Sequence, residues 1–267
     1  MNLFLKLIVA AGIFFFMVPI LHNAGAEMFL NPDALMIIGS GTIIGLFIGF
    51  PQKRIKMALR HIKEAFQEQG DRDSLLKSIL STAMFYKKGN IRELENKIGQ
   101  IKDEFFRLGM SLLINNHPID DIHGILEREM DIRVVNYNLS QNLLKTLARL
   151  TPALGLAGTI ISLIKMFDQF KSVETLTPMM AVALMSTFYG VVIANLIMLP
   201  LASKLKEKTI LCESLMTMTL EGLRAISDRE HPLKIEERLA GIQRLKAEQR
   251  ADQTEKATWP KIQMGFK

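Results

Sequence analysis

Four stretches of this chain carry no Asp, Glu, Lys or Arg, and their lengths constrain the fold before any other feature does. Residues 7–26 provide 20 such positions, 34–52 provide 19, 150–164 provide 15 and 175–203 provide 29. A helix rising 1.5 Å per residue needs about 20 apolar residues to cross roughly 30 Å of hydrocarbon. The runs therefore predict an all-α integral membrane protein with four transmembrane helices, two in an N-terminal hairpin (1–52, helices at about 4–22 and 34–51) and two within 149–203. The third run is short because Lys165 and Asp168 arrive early, so Lys165 is expected to reach the interface from the last turn.

Charge placement sets the expected orientation. Of the 33 Lys and Arg, 16 lie in 52–148 and 13 in 204–267, whereas the connection between the first two runs has none. Lys and Arg accumulate on the cytoplasmic side of a bilayer. This predicts a cytoplasmic helical loop domain (53–148), a cytoplasmic helical tail (204–267) disordered at its end, and both termini inside an inner, or plasma, membrane. A competing reading of the N-terminus is a cleaved signal peptide, since Ala24-Gly25-Ala26 after an apolar core has the form of a cleavage site. Cleavage would leave three spans.

Composition excludes several functions. The single cysteine, Cys212, cannot make an intrachain disulfide or a cysteine-based metal cluster. The net charge of +6 comes from basic residues interleaved with acidic ones, with three Tyr and one Trp, which is not a nucleic-acid footprint. No phosphate-binding loop or nucleophile constellation is present, so no enzymatic role and no cofactor are expected. His117 and His123, flanking Pro118, read as plain loop residues, and Glu127 with Asp131 as a repulsive, solvated face.

Between the membrane runs, Ile55, Leu59, Ile62 and Phe66 keep helical spacing, so the second span is expected to continue as an amphipathic helix to about Gln69. A helix from Ser74 to Tyr86, a turn at Lys87-Lys88-Gly89-Asn90, and a third helix from Ile91 follow. The third helix, bearing Phe105, Phe106, Leu108, Leu112 and Leu113, breaks at Asn115-Asn116-His117-Pro118. A fourth, from Ile119, leads towards span three.

Inside the membrane runs, small and hydroxyl residues form stripes. Thr151, Gly155, Gly158, Thr159 and Ser162 share one face of the third span, and Ala183, Ser186, Thr187, Gly190 and Ala194 repeat the pattern in the fourth. Gly41, Gly45 and Gly49 form a packing face in the second. Such stripes let helices approach one another, or they face a water path or another protein's helix. Neither 150–164 nor 175–203 contains Asp, Glu or His, so a transported cation would need a carboxylate lent by a partner. Pro152 and Pro200 each remove a helical hydrogen bond and can kink their helices.

Thr151 to Thr159, Met179 to Gly190, and Ala194-Asn195 through Leu199-Pro200-Leu201-Ala202 resemble the flagellar-motor stator A subunits (MotA/PomA) of the MotA/TolQ/ExbB proton channel family. The resemblance extends over Asn31 to Gly49, the long loop and the tail to about Glu237. It implies a ring of A subunits, a pentamer, around a B-type stator subunit that supplies the ion-binding aspartate. It also implies membrane lipid around the spans and contact between the loop and a rotor switch-complex protein. By position it marks Pro152 and Pro200 as helix-coupling prolines, and Lys87 and Glu95 as rotor contacts. Thr159 and Thr187, with Ser162 and Ser186 beside them, are marked as lining the ion path. Arg149 stands where relatives often carry an acid. The coupling ion is left open between proton and sodium. More distant resemblance to the ExbB/TolQ energisers implies an alternative role in outer-membrane transport or envelope maintenance.

Overall fold

The computed structural model describes residues 31–67, 72–89, 91–168 and 173–241, all helices and short connections. In chain order the helices are α1 (Pro32–Gly49), α2 (Gln52–Phe66), α3 (Arg72–Lys88), α4 (Ile91–Gly99), α5 (Glu104–Ile114), α6 (Ile119–Asp168), α7 (Val173–Val192) and α8 (Leu199–Ser227). A π-helical segment (Ile193–Met198) joins α7 to α8, and α9 covers 232–241. Three stretches among the described residues are long and apolar enough to cross a membrane: Pro32–Gly49, part of Ile119–Asp168, and part of Leu176–Ser227. The first predicted span, at about 4–22, and the tail beyond residue 241 lie outside the described residues.

The described residues divide into two compact units, one drawn from 31–64 and 139–206, the other from 65–138 and 207–241. In the first, α1 starts where the Asn31 side chain accepts the Ala34 N–H at 3.1 Å and Pro32 occupies the first turn. The Asn31 N–H is itself donated to the Tyr189 hydroxyl at 2.9 Å, which ties the start of α1 to α7. The glycine face behaves partly as expected. Gly41 and Gly45 lie against Leu154 and Leu150 of α6, where an added methyl would have to displace the leucine, while Gly49 faces open space. Ala58, Leu143 and Leu147 close a small core, with Leu46, Phe50, Ile55 and Met198 against it.

The second unit buries a larger apolar core. Phe106 and Met110 of α5, Ile79 of α3, Ile122 and Leu126 of α6, Leu223 and Ile226 of α8, and Ile235 and Leu239 of α9 meet there. Gly109 admits Leu223, and Gly222 admits Ile79, so the side chains of one helix fill the gaps of the next. Arg238 of α9 reaches Glu221 of α8 at 3.0 Å and Glu230 at 3.5 Å.

Several sequence expectations are corrected. The second span does not continue into the amphipathic helix: Phe50 is extended (φ −138, ψ 137) and Pro51 follows, so α1 and α2 are separate. A residue before proline is driven out of the helical region. The third loop helix is two, α4 and α5, because Asp103 caps a new start by accepting the Phe106 N–H at 2.7 Å. His123 is not a loop residue but lies on α6, with Nδ1 3.5 Å from Glu127. The turn after α3 falls at Gly89, whose φ of 75 is costly for other residues, and Asn116 takes φ 57 at the break before α6.

His61 on α2 shares a 2.9 Å hydrogen bond with the buried hydroxyl of Ser140 on α6. Burial holds its imidazole below the ordinary pKa of 6.5, against the raising pull of Glu64 and with a lowering push from Arg60. The unfolded chain then takes up this proton first on acidification. This share of stability is complete above about pH 6.5 and is lost as the pH falls towards the lowered pKa. Thermal unfolding of the purified full chain between about pH 7.5 and 5.5 is expected to show a decline that His61→Gln flattens. In the second unit, Phe106→Ala is expected to cost about 3–5 kcal/mol, read as a lower midpoint in the same measurement.

Candidate functional site in the membrane unit

The motifs of spans three and four meet at the crossing of α6 and α7. A Cβ placed on Gly190 would lie 2.7 Å from the Thr151 carbonyl oxygen and 3.2 Å from the Cα atoms of Gly155 and Pro152. One placed on Gly155 would lie 2.9 Å from the Ser186 carbonyl oxygen and 3.2 Å from the Thr187 Cα. The neighbours at these two glycines are backbone, which cannot swing away as a side chain can. Gly158 extends the seam one turn further, with the Ser186 hydroxyl 2.8 Å from where its Cβ would be. The packing reading of the two stripes is therefore realised, face to face.

The seam sorts the hydroxyl residues into two groups. Thr151, Ser162 and Ser186 are buried, at 0, 4 and 0 % exposure. Ser186 Oγ donates to the Val182 carbonyl at 2.9 Å, whereas Thr151 Oγ1 has no hydrogen-bond partner among the described residues. Thr159 and Thr187 stay half-exposed at the edge of the seam. Thr159 Oγ1 donates to the Leu156 carbonyl at 2.7 Å, and Thr187 lies directly against Gly155, one turn before Thr159. Of the four residues the resemblance marked for an ion path, two are enclosed between helices and two are presented outward.

The prolines differ as well. Pro152 sits inside the continuous helix α6, half-buried against Gly190. Pro200 is exposed at the start of α8, directly after the π segment. There the Leu199 N–H reaches back five residues to the Ala194 carbonyl. A proline ring presses on the carbonyl four residues before it and offers no N–H, and a wider turn accommodates both. Sequence reasoning named Pro200 but not the π turn, for which the proline was the available signal. It also passed over Tyr189, whose bond to Asn31 has no periodic signature.

Lys87 and Glu95 belong to the second unit and both are exposed. Lys87 borders a groove of about 420 Å³ with Met84, His231, Pro232 and Leu233. Among the described residues, no three His, Cys, Asp or Glu side chains are grouped to hold a metal ion.

Apolar helices of spanning length, joined by glycine-faced contacts in which backbone meets backbone, define a helical multi-span membrane protein. Residues 97–218 match the model of the MotA/TolQ/ExbB proton channel family. The chain is 28% identical over 217 residues to the uncharacterized protein YtxD of Bacillus subtilis, covering 81% of this chain and 80% of that one. It is 31% identical over 166 residues to Motility protein A of Borreliella burgdorferi, covering 62% and 64%. It is 24% identical over 226 residues to the chemotaxis protein PomA of Vibrio alginolyticus, covering 84% and 88%. The fold is similar to that in the structure of C. jejuni MotAB, with a TM-score of 0.78, 18% identity, and 90% and 94% of the two chains covered. The chain is thus similar, over its central segment, to the MotA/TolQ/ExbB proton channel family and, over more of its length, to proteins named for motility.

The seam can be tested with paired glycines. Gly190→Ala is expected to destabilise the full chain by about 1–3 kcal/mol, because the new methyl meets backbone. Gly39→Ala, with nothing within 4 Å, is expected to be neutral or stabilising by up to about 1 kcal/mol. Thermal unfolding in detergent reads both.

Proposed function

We propose that this protein is the stator A subunit of an ion-driven flagellar motor, working as a ring, a pentamer in the family pattern, around a B-type subunit. The observation that carries the reading is the outward presentation of Thr159 and Thr187 beside a seam of buried small residues. Two weakly polar groups, on a helix pair whose membrane runs hold no acidic side chain, suit a surface against which a partner helix brings its own carboxylate. The relatives named for motility favour this over the energiser role.

In this reading the protein is a four-span, non-enzymatic protein of the inner membrane with both termini cytoplasmic. Residues 53–148 and 204–267 lie on the cytoplasmic side. Ion binding on the B subunit changes how its helix sits against Thr159 and Thr187. Pro152, at the seam, and Pro200, behind the π turn, let α6 and α8 bend as that contact changes. Lys87 and Glu95, exposed charges of the second unit, meet the rotor switch complex through complementary charges. Lys87 does so as a point charge, without the bidentate geometry an arginine would bring.

Expression with a B subunit in a stator-deficient cell is expected to restore swimming. Pro152→Ala should slow swimming several-fold at unchanged protein level, and full swimming with both prolines replaced would overturn the mechanism. Lys87→Glu is expected to reduce swimming while leaving membrane insertion intact, as scored by motility in soft agar and immunoblotting of membranes.

A further inference from the structure

We propose that the groove formed by Asn142, Lys145, Thr146 and Arg149 of α6 with Leu199 of α8 binds the phosphodiester headgroup of an anionic membrane phospholipid. The groove holds about 730 Å³ and is completed by Ala148. Its four polar residues stand at offsets of zero, three, four and seven, which places them on one helical face. No acidic side chain lines it.

Both cations are free to take an anion. Lys145 and Arg149 are exposed, and among the described residues neither side chain makes an ion pair or hydrogen bond. Thr146 Oγ1 already donates to the Asn142 carbonyl at 2.9 Å, so the remaining neutral donor is the Asn142 amide. A guanidinium fork beside an ammonium and an amide matches a phosphate carrying one negative charge.

Depth points to lipid rather than a soluble anion. The uncharged run begins at Leu150. Arg149 and Lys145 therefore lie roughly 1.5 and 7.5 Å outside the hydrocarbon boundary along the helix. The headgroup layer is about 5–8 Å thick on each face. Leu199, partly exposed on the far wall, offers apolar surface to the first carbons of an acyl chain. Basic pockets between spanning helices at this depth are where acidic headgroups bind. The proposal requires only that α6 enters the bilayer near Leu150, and it is independent of the motor role and of the direction of insertion.

The test uses the full-length chain in nanodiscs of phosphatidylcholine with about one part in five phosphatidylglycerol, the lipids retained on release being counted by native mass spectrometry. Phosphatidylglycerol is expected to be enriched on the wild-type chain by roughly tenfold over phosphatidylcholine, at about fivefold or less per cation. Lys145→Gln with Arg149→Gln should abolish the enrichment, each single change should reduce it, and Lys145→Arg should keep it. Lys234→Gln, a remote lysine change, should leave it intact. The single variants carry the test if the double variant does not fold. Undiminished enrichment in the glutamine variants would overturn the proposal. So would loss of enrichment on adding inorganic phosphate at matched ionic strength, which would make the ligand a free anion. Dissociation of the oligomer by the glutamine variants without change in bound lipid would mark the groove as a subunit contact and overturn it too.

Discussion

The membrane unit depends on one contact, the approach of α6 and α7 until not even a methyl group fits between their backbones at Gly155 and Gly190. In hydrocarbon there is no gain from hiding apolar side chains from water, because lipid is as apolar as leucine. What remains is dispersion at close range and weak backbone contacts, which require that nothing project between the axes. Gly155 and Gly190 meet that condition for each other. Their contact enforces the arrangement of the rest: Ser162, Ser186 and Thr151 are enclosed, Thr159 and Thr187 are left at the margin, and α1 is left to pack through Gly41 and Gly45 on Leu154 and Leu150. The part of α6 that carries the seam thus serves two neighbours at once.

The second unit follows the ordinary rules of water-soluble helices. Its helices bury one face, and the close approaches at Gly109 and Gly222 accept large side chains rather than a facing backbone. Arg133 shows how charge is used there, with its guanidinium over the Phe105 ring at 5.8 Å and Nε on Glu129 at 2.7 Å. The same chain therefore uses small residues to bring helices together in one unit and large residues to fill the space between helices in the other.

Legibility in the sequence followed this division. The runs without charge at 34–52, 150–164 and 175–203 announced the long apolar helices, and the spacing of Thr151, Gly155 and Gly158 announced the seam, since both are periodic properties of a single helix. The breaks were read less well. Asp103 restarts a helix by one side-chain bond, and Pro51 ends one by a clash with the residue before it, and neither disturbs the apolar period on which the reading relied. Helix α9, buried by Ile235 and Leu239, lies in the tail that was expected to be helical, but its separate start at Pro232 was not marked. The split of the candidate residues into enclosed serines and outward threonines was not readable. All lie on nominally the same faces, and only the partner helix decides which of them it covers.

The backbone-to-backbone contact of the membrane unit also carries unmet hydrogen bonds. Pro152 has no N–H to give the Ala148 carbonyl, and the neighbouring Thr151 hydroxyl, fully buried, has no partner among the described residues. A buried polar group left unpaired costs about 1–3 kcal/mol. Were α6 and α7 built only to hold fast, alanine at 152 and 151 would remove both deficits at no steric cost. A proline and an unpaired hydroxyl at the point where Gly190 presses on them instead leave the joint with unmet hydrogen bonds, which a small rotation of the helix pair, or a water admitted by it, could satisfy. In the proposed motor role, this joint and the π turn before Pro200 are the two points at which α6 and α8 would bend.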